Sequence, residues 1–453
     1  MGKRMLTQGN VYITLLSFSL PFLAANLLQA LYGAVDLFIV GRYADPTAVS
    51  AVATGSQVMQ TVTSLCIGLT TGGTVMIGQL FGARRRRDVS DTIATSLCLF
   101  GLIAAVLTVV MASSVDMLCR AMRVPPEAWD GTKQYLFITS CGIAFIVGYN
   151  ALAGILRGLG DSLTPLVFVA VACAVNVAGD LLLVGVYRMG AAGAAIATAA
   201  SQGVALLFIA LFLLARGWVG RFLQDRFRIR IYSAKQVLLL GMPIAMQEGL
   251  VNLSFLLITA IVNGMGLTAS AAVGVVEKVI MFSMLPVTAF ASAVSAMAAQ
   301  HAGAGLEKRG RACLKGGVAL SLVFGVAFFL FAQARGGLLV RLFCPDPQVV
   351  AAGAAYLRSY SLDSVIVCFV FCMNAYFSGC GHTVFPLAHS VLATFLVRVP
   401  LSALFSRLPA ASMLAIGCAA PLASLFSLIL CEWFLRRMSA VHIKKFAKLN
   451  LSG

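Results

Sequence analysis

Apolar runs long enough to cross a bilayer recur along nearly the whole chain, and that feature restricts the chain to one architectural class. The runs cover roughly 11–40, 47–79, 92–115, 134–156, 163–187 and 191–214, then, after a basic stretch, 237–262, 269–300, 314–331, 349–377, 384–405 and 413–435. A helical span needs about 20 apolar residues. None of the runs alternates apolar and polar positions as a lipid-facing barrel strand does, so they are read as helices. The expected fold is an all-α integral membrane protein with twelve transmembrane helices. With 453 residues, 60% of them hydrophobic and 11% charged, and a mean hydropathy of +0.95, the chain is too apolar for a soluble globule and has no room for a large soluble domain. The first run is too long and too polar for a cleaved signal peptide and no small-residue cleavage site follows it, so it is expected to stay in the mature protein.

Basic residues set the expected orientation. With the amino terminus inside, the inner side receives 22 Lys and Arg and the outer loops 8, with Lys278, Arg358 and Arg398 left inside the spans. That excess predicts both termini in the cytoplasm. The formal charge of +17 is therefore an orientation signal, and no nucleic-acid partner is expected. Arg84 to Arg87, which would resemble a nucleic-acid patch in a soluble protein, reads here as a loop anchored at anionic lipid.

The chain also repeats itself. An offset of 221 residues lays Gln79 and Gly82 on Gln300 and Gly303, Tyr135 on Tyr356, and Gly158, Gly160 and Pro165 on Gly379, Gly381 and Pro386. A constant offset over so long a stretch marks a duplication. Six spans per unit would relate the halves by a pseudo-two-fold along the membrane normal, a plan common among secondary transporters. The expected organisation is an amino-terminal lobe over 1–215, a cytoplasmic connector over 216–235, a second lobe over 236–437 and a basic cytoplasmic tail over 438–453. Acids are not inherited as matched pairs: near the start of each unit, where Pro21 meets Pro243 at an offset of 222, Asp36 faces Leu257 or Ile258 and Glu248 aligns with Asn26, and further on Asp363 aligns with Gly142.

Asp36 lies inside an apolar run, with Asn26, Gln29 and Tyr32 or Gly33 on the same helical side. An ionisable group within a span is costly and marks a functional face by default. Asn176 and Asp180 are four residues apart, hence on one face of the fifth run. Counting from the outer ends of their helices puts Asp36, Asp180 and Thr198 at one level, about 8 to 12 Å below the surface. Two buried carboxyl groups among neutral oxygens hold a proton or coordinate a small hard cation; the competing reading is that each caps a neighbouring group independently.

These residues resemble a known family. Gln29, Leu31, Tyr32, Asp36 and Ile39 to Arg42 look like the first-helix signature of bacterial multidrug and toxic compound extrusion (MATE) transporters, and Gly78–Gln79 with Gly82, Arg157 to Asp161 ending in Pro165, Asn176 with Asp180, and Ala271 to Val273 follow in the family's order. The resemblance implies two six-helix lobes around a V-shaped cavity, alternating access, and export of organic cations against inward Na⁺ or H⁺. It implies a first-lobe cation site at Asp36, Asn176, Asp180 and Thr198, with Gln29, Tyr32 and Asn150 lining the adjoining cavity, and a hinge at Pro21. Second-lobe coupling at Glu248 and Asp363 is implied too, although Ser359 stands where some relatives carry a tyrosine.

Six acids against three bases within the spans favour cationic cargo. Glu277 and Lys278 are expected to neutralise each other or neighbouring helices, Arg358 to pair with a nearby acid, and Glu432 to be ion-paired or to snorkel. No nucleophile, phosphate or metal motif supports an enzyme, and the twelve cysteines form no CxxC. No cofactor is expected beyond the coupling ion, and the chain is expected to act as a monomer in the lipid bilayer. The competing functional class is a flippase of lipid or lipid-linked oligosaccharide with a related fold, which would want a basic cavity.

Overall fold

In a computed structural model, residues 6–217, 228–407 and 413–450 are described, with side chains to 438. In the first repeat, α1 is Val11–Tyr43, α2 Pro46–Gly82, α3 Arg86–Ser113, α4 Val115–Ala121, α5 Trp129–Cys141, α6 Ile143–Gly158, α7 Leu163–Asp180 and α8 Gly190–Ala215. In the second, α9 is Ile231–Asn263, α10 Leu267–Gly303, α11 Glu307–Arg341, α12 Pro347–Tyr360, α13 Asp363–Gly379, α14 Val384–Leu392, α15 Val399–Ser406, α16 Met413–Gly417 and α17 Ala419–Asn450. Among the described residues, ten helical spans are long and apolar enough to cross a membrane, and two bent pairs bring the number to twelve if each pair is one span. Their outward faces remain apolar, as Leu102, Val109 and Phe38 show with 65%, 68% and 72% exposure, which suits lipid and not water.

The runs expected at 134–156 and 349–377 are each broken. The segment Pro126–Cys141 meets α6 at 43°, and α12 meets α13 at 46°. Neither break needs a proline, because local groups take over the freed backbone bonds. The Gly142 amide reaches the Ile138 and Thr139 carbonyls, while Ser364 Oγ donates to the Ser361 and Gly325 carbonyls at 2.6 and 3.0 Å. Gly142 and Asp363 are repeat partners, so both repeats bend at the same place.

Helix starts follow their caps. Asn10 Oδ1 accepts from the amides of Tyr12 and Ile13, and Asp346 Oδ1 from those of Gln348 and Val349, with Pro347 in the first turn. Two fifth-position helices share an irregularity: α7 runs on through a widened, π-type turn at Leu181–Val186, and α14 through one at Ala393–Arg398.

Packing divides the chain into two compact units. One is Met1–Gly249, Ser292–Cys313 and Ser378–Thr383; the other is Leu250–Ala291, Leu314–Phe377 and Val384–Gly453. Within the first, α7 packs on α8 and α1, α2 on α6, and α5 on α8. The duplication is visible in its backbone: Gly160 and Gly381 share φ values of 90° and 92°, and Arg84 and Gly305 share 59° and 70°. Gln79 Nε2 donates to the Gly379 carbonyl and Gln300 Nε2 to the Gly158 carbonyl, each at 2.9 Å. A Cβ on Gly82 would strike the Gln300 carbonyl, and one on Gly303 the Gln79 carbonyl, so only glycine permits this approach.

Much of the connector expected at 216–235 lies outside the described residues, as do Lys3 and Arg4. Its described end is anchored: Arg230 Nη2 lies 2.6 Å from Asp91 Oδ2 and Nη1 3.0 Å from Asp88 Oδ1, and the Arg228 amide donates to Asp91 Oδ1.

Candidate functional site

The first unit gathers carboxyl, amide and hydroxyl groups from four helices at one place. Asp36 on α1 is 4% exposed, and Asn176 and Asp180 on α7 are fully buried. The carboxyl groups of Asp36 and Asp180 face each other. Thr198 on α8 stands beside the phenols of Tyr32 on α1 and Tyr135 on α5. Tyr32 Oη is 3.4 Å from Ser201 Oγ, which donates to the Thr198 carbonyl at 2.8 Å. The sequence-predicted set of Asp36, Asp180, Thr198 and Tyr32 therefore comes together, and Asn176 lies one turn from Asp180 on the same helix.

This cluster is not a satisfied structural network. Asp36 Oδ1, both carboxyl oxygens of Asp180, both amide atoms of Asn176 and Thr198 Oγ1 are buried without a hydrogen-bond partner among the described residues. Buried polar atoms normally find partners, and isolated ones carry a desolvation cost. No basic side chain acts on either carboxyl group among the described residues. Six such unpartnered atoms, three of them on the two acids, are gathered at this place. Chemically it can accept protons or surround a small hard cation with oxygen ligands. Among the described residues no group of three or more His, Cys, Asp and Glu gathers, so such a site would rely on neutral oxygens as well.

Local sequence explains the assembly. Gly179 lets α7 approach Ala197 of α8, next to Asp180 and Thr198. Gly55 on α2 leaves the space that the Tyr135 ring fills; a Cβ there would strike that ring. Tyr135 was not among the expected site residues. Its signal was the repeat itself, since its partner Tyr356 is also buried beside acids, Glu277 and Asp363.

The remaining expected residues are more dispersed. Gln29 is exposed on α1, and Asn150 is buried on α6 with Nδ2 donating to the Ile146 carbonyl at 2.8 Å. Pro21 is buried inside an α1 that continues through it. It has no amide hydrogen to give the Ser17 carbonyl, which weakens the helix there. Glu248, exposed on α9, belongs to the first compact unit and Asp363 to the second. Asp363 opens α13, is 6% exposed and neighbours Ser424 and Arg398. Arg358, expected to pair with an acid, is exposed with none in ion-pair range among the described residues; its carbonyl, near the end of α12, accepts from Gln333 Nε2. Glu277 neighbours Arg398 as well as Lys278, and Glu432 pairs with Arg436 at 3.1 Å, as expected.

Comparison with known proteins places this geometry. The family model described as MatE matches the chain twice, over residues 21–182 and 243–404, once in each repeat. The chain is 30% identical to "Probable multidrug resistance protein YpnP" of Bacillus subtilis (strain 168), covering 88% of this chain and 89% of that protein. It is 26% identical to "Probable multidrug resistance protein YoeA" of the same organism, covering 94% and 93%. Among solved structures it superposes on a MATE crystal structure in the straight conformation with a TM-score of 0.90, at 21% identity, covering 97% of this chain and 99% of that one. Two family matches in tandem, a shared fold and the helix-borne polar cluster agree: the chain belongs to the MatE family, the multidrug and toxic compound extrusion transporters, and is a multi-pass membrane transporter, not an enzyme.

Proposed function

We propose that the chain exports organic compounds, chiefly cationic amphipathic ones, in exchange for Na⁺ or H⁺ moving inward, with Asp36 and Asp180 as the exchange site and Asn176 and Thr198 as neutral ligands. The supporting observation is the pair of buried carboxyl groups with unpartnered oxygens and no basic neighbour. A cationic drug and a coupling cation both seek that negative charge, so one displaces the other. A ligand moves the conformational equilibrium only as far as its affinities for the two states differ, and neutralising the carboxyl pair supplies such a difference. Gln29, Tyr32 and Asn150 line the drug path in this reading, and the α1 segment around Pro21 bends as the site changes occupancy. Glu248 and Asp363 tune coupling from the second half.

The names of the Bacillus relatives, both probable multidrug resistance proteins, support drug-like cargo. The excess of Lys and Arg on one side supports both termini inside, the Bacillus relatives support a bacterial cytoplasmic membrane, and the internal repeat supports two lobes over 1–215 and 236–437, with a monomer as the proposed working unit. Expression in a drug-sensitive bacterium tests the function. Wild type confers resistance, whereas Asp36→Asn, present in the membrane at equal amount, does not; resistance retained by Asp36→Asn would remove that residue from the mechanism.

A further inference from the structure

In the second compact unit a basic side chain, Arg398, neighbours buried Asp363 and half-buried Glu277, whereas in the first no basic side chain among the described residues neighbours Asp36 and Asp180. Arg398 closes the widened turn after α14 and reaches three partners. Nη1 lies 3.2 Å from Ser254 Oγ, Nη2 3.4 Å from Tyr360 Oη, and Cζ 4.7 Å from the Phe255 ring centroid. Three residues beyond Tyr360, Asp363 is buried with Oδ1 unpartnered, and Arg398 Nε is unpartnered too. Glu277 completes the group, its Oε1 3.5 Å from Thr259 Oγ1, with Arg398 and exposed Lys278 as its basic neighbours. A guanidinium does not deprotonate in proteins, so its charge is permanent and tethered.

The repeat register adds an independent observation. The offset of 221 lays Arg398 on Val177, on the helix that holds Asn176 and Asp180, and lays Leu401 on Asp180. The duplicated helix thus exchanged an acid for an apolar residue and gained a base one turn away.

We propose that Arg398 is a resident cation: it holds by covalent attachment the charge that a mobile monovalent cation would otherwise bring to Asp363 and Glu277, and so confines cation exchange to Asp36 and Asp180. This rests on the reading of those two acids as the exchange site. A buried carboxylate stripped of its counter-charge is strongly unfavourable. Removing Arg398 therefore recruits a proton or a sodium ion to Asp363.

The test uses the full-length purified protein with two probes at neutral pH: equilibrium binding of radioactive Na⁺, and the infrared band of protonated carboxyl groups. Arg398→Gln gains either one additional bound sodium or one additional protonated carboxyl over wild type, Arg398→Lys matches wild type, and Arg398→Gln/Asp363→Asn returns to the wild-type count. A folded Arg398→Gln that gains neither, or a gain that survives in the double variant, overturns the proposal. If Arg398→Gln alone fails to fold but the double variant folds, the unneutralised acid is the fault and the proposal stands. If both fail, Arg398 is a packing residue and the proposal falls. Asp36→Asn measured alongside tests the underlying exchange site separately, because it leaves the difference between Arg398→Gln and wild type untouched.

Discussion

Gln79 and Gln300 make the same hydrogen bond across the duplication, Gln79 to the Gly379 carbonyl and Gln300 to the Gly158 carbonyl, each at 2.9 Å. Each glutamine reaches the repeat that does not contain it, so the two bonds form a reciprocal clasp. Gly82 and Gly303 permit it by letting each helix end meet the other's glutamine carbonyl. Gln300 also accepts the Leu6 amide at 3.0 Å, which ties the residues before α1 to the same clasp.

Replacing Gln79 by alanine removes one part-buried bond, which costs about 1 kcal/mol, and replacing Gln300 removes two, with a correspondingly larger cost. Gly303→Ala, whose Cβ has no space, is expected to cost more than Gln79→Ala. Thermal unfolding in detergent measures both. Equal melting temperatures for Gly303→Ala and wild type would show that the clasp opens without penalty.

Tyr135 contributes through its hydroxyl at the Asp36, Asp180 and Thr198 cluster, and Gly55 holds its ring in place. Tyr135→Phe is expected to slow cation-driven transport by about tenfold, the equivalent of about 1.4 kcal/mol. Gly55→Ala is expected to cause a comparable loss by displacing the ring while the hydroxyl remains. Initial rates in proteoliposomes decide this, and a Gly55→Ala protein at full rate would contradict the seating of Tyr135.

The contact between Arg230 and Asp91 pairs a side chain that is 43% exposed with one that is 5% exposed. Exposure weakens the attraction, yet losing the base leaves a buried carboxylate behind, so Arg230→Ala is expected to destabilise the protein by roughly 1 to 3 kcal/mol. Part of that loss should return in Arg230→Ala/Asp91→Asn. The melting temperatures of the two variants check it, with no recovery in the double variant counting against the pairing.

How much of this was legible in the sequence follows from what each signal depends on. Spans were visible because lipid demands long apolar runs, and the duplication because Gln79, Gly82, Tyr135 and Gly158 keep a constant offset. Asp36 and Asp180 were visible because acids are rare inside such runs. The breaks at Gly142 and before Asp363 were hidden, since they fall within apolar runs and are stabilised by backbone and serine contacts that no local pattern announces. Arg398 was counted as a span base, but its place among Ser254, Tyr360 and Phe255 arises only when distant helices meet. Tyr135 likewise gained its role from Gly55, which lies 80 positions earlier in the chain.

The most direct test of the exchange site is drug movement driven by an imposed cation gradient in proteoliposomes containing wild type, Asp36→Asn, Asp180→Asn or both substitutions. If the two carboxyl groups act as one unit, each single variant loses gradient-driven transport and the double variant is no worse than either. Gradient-driven transport persisting in either single variant, or losses that simply add in the double, would contradict the account.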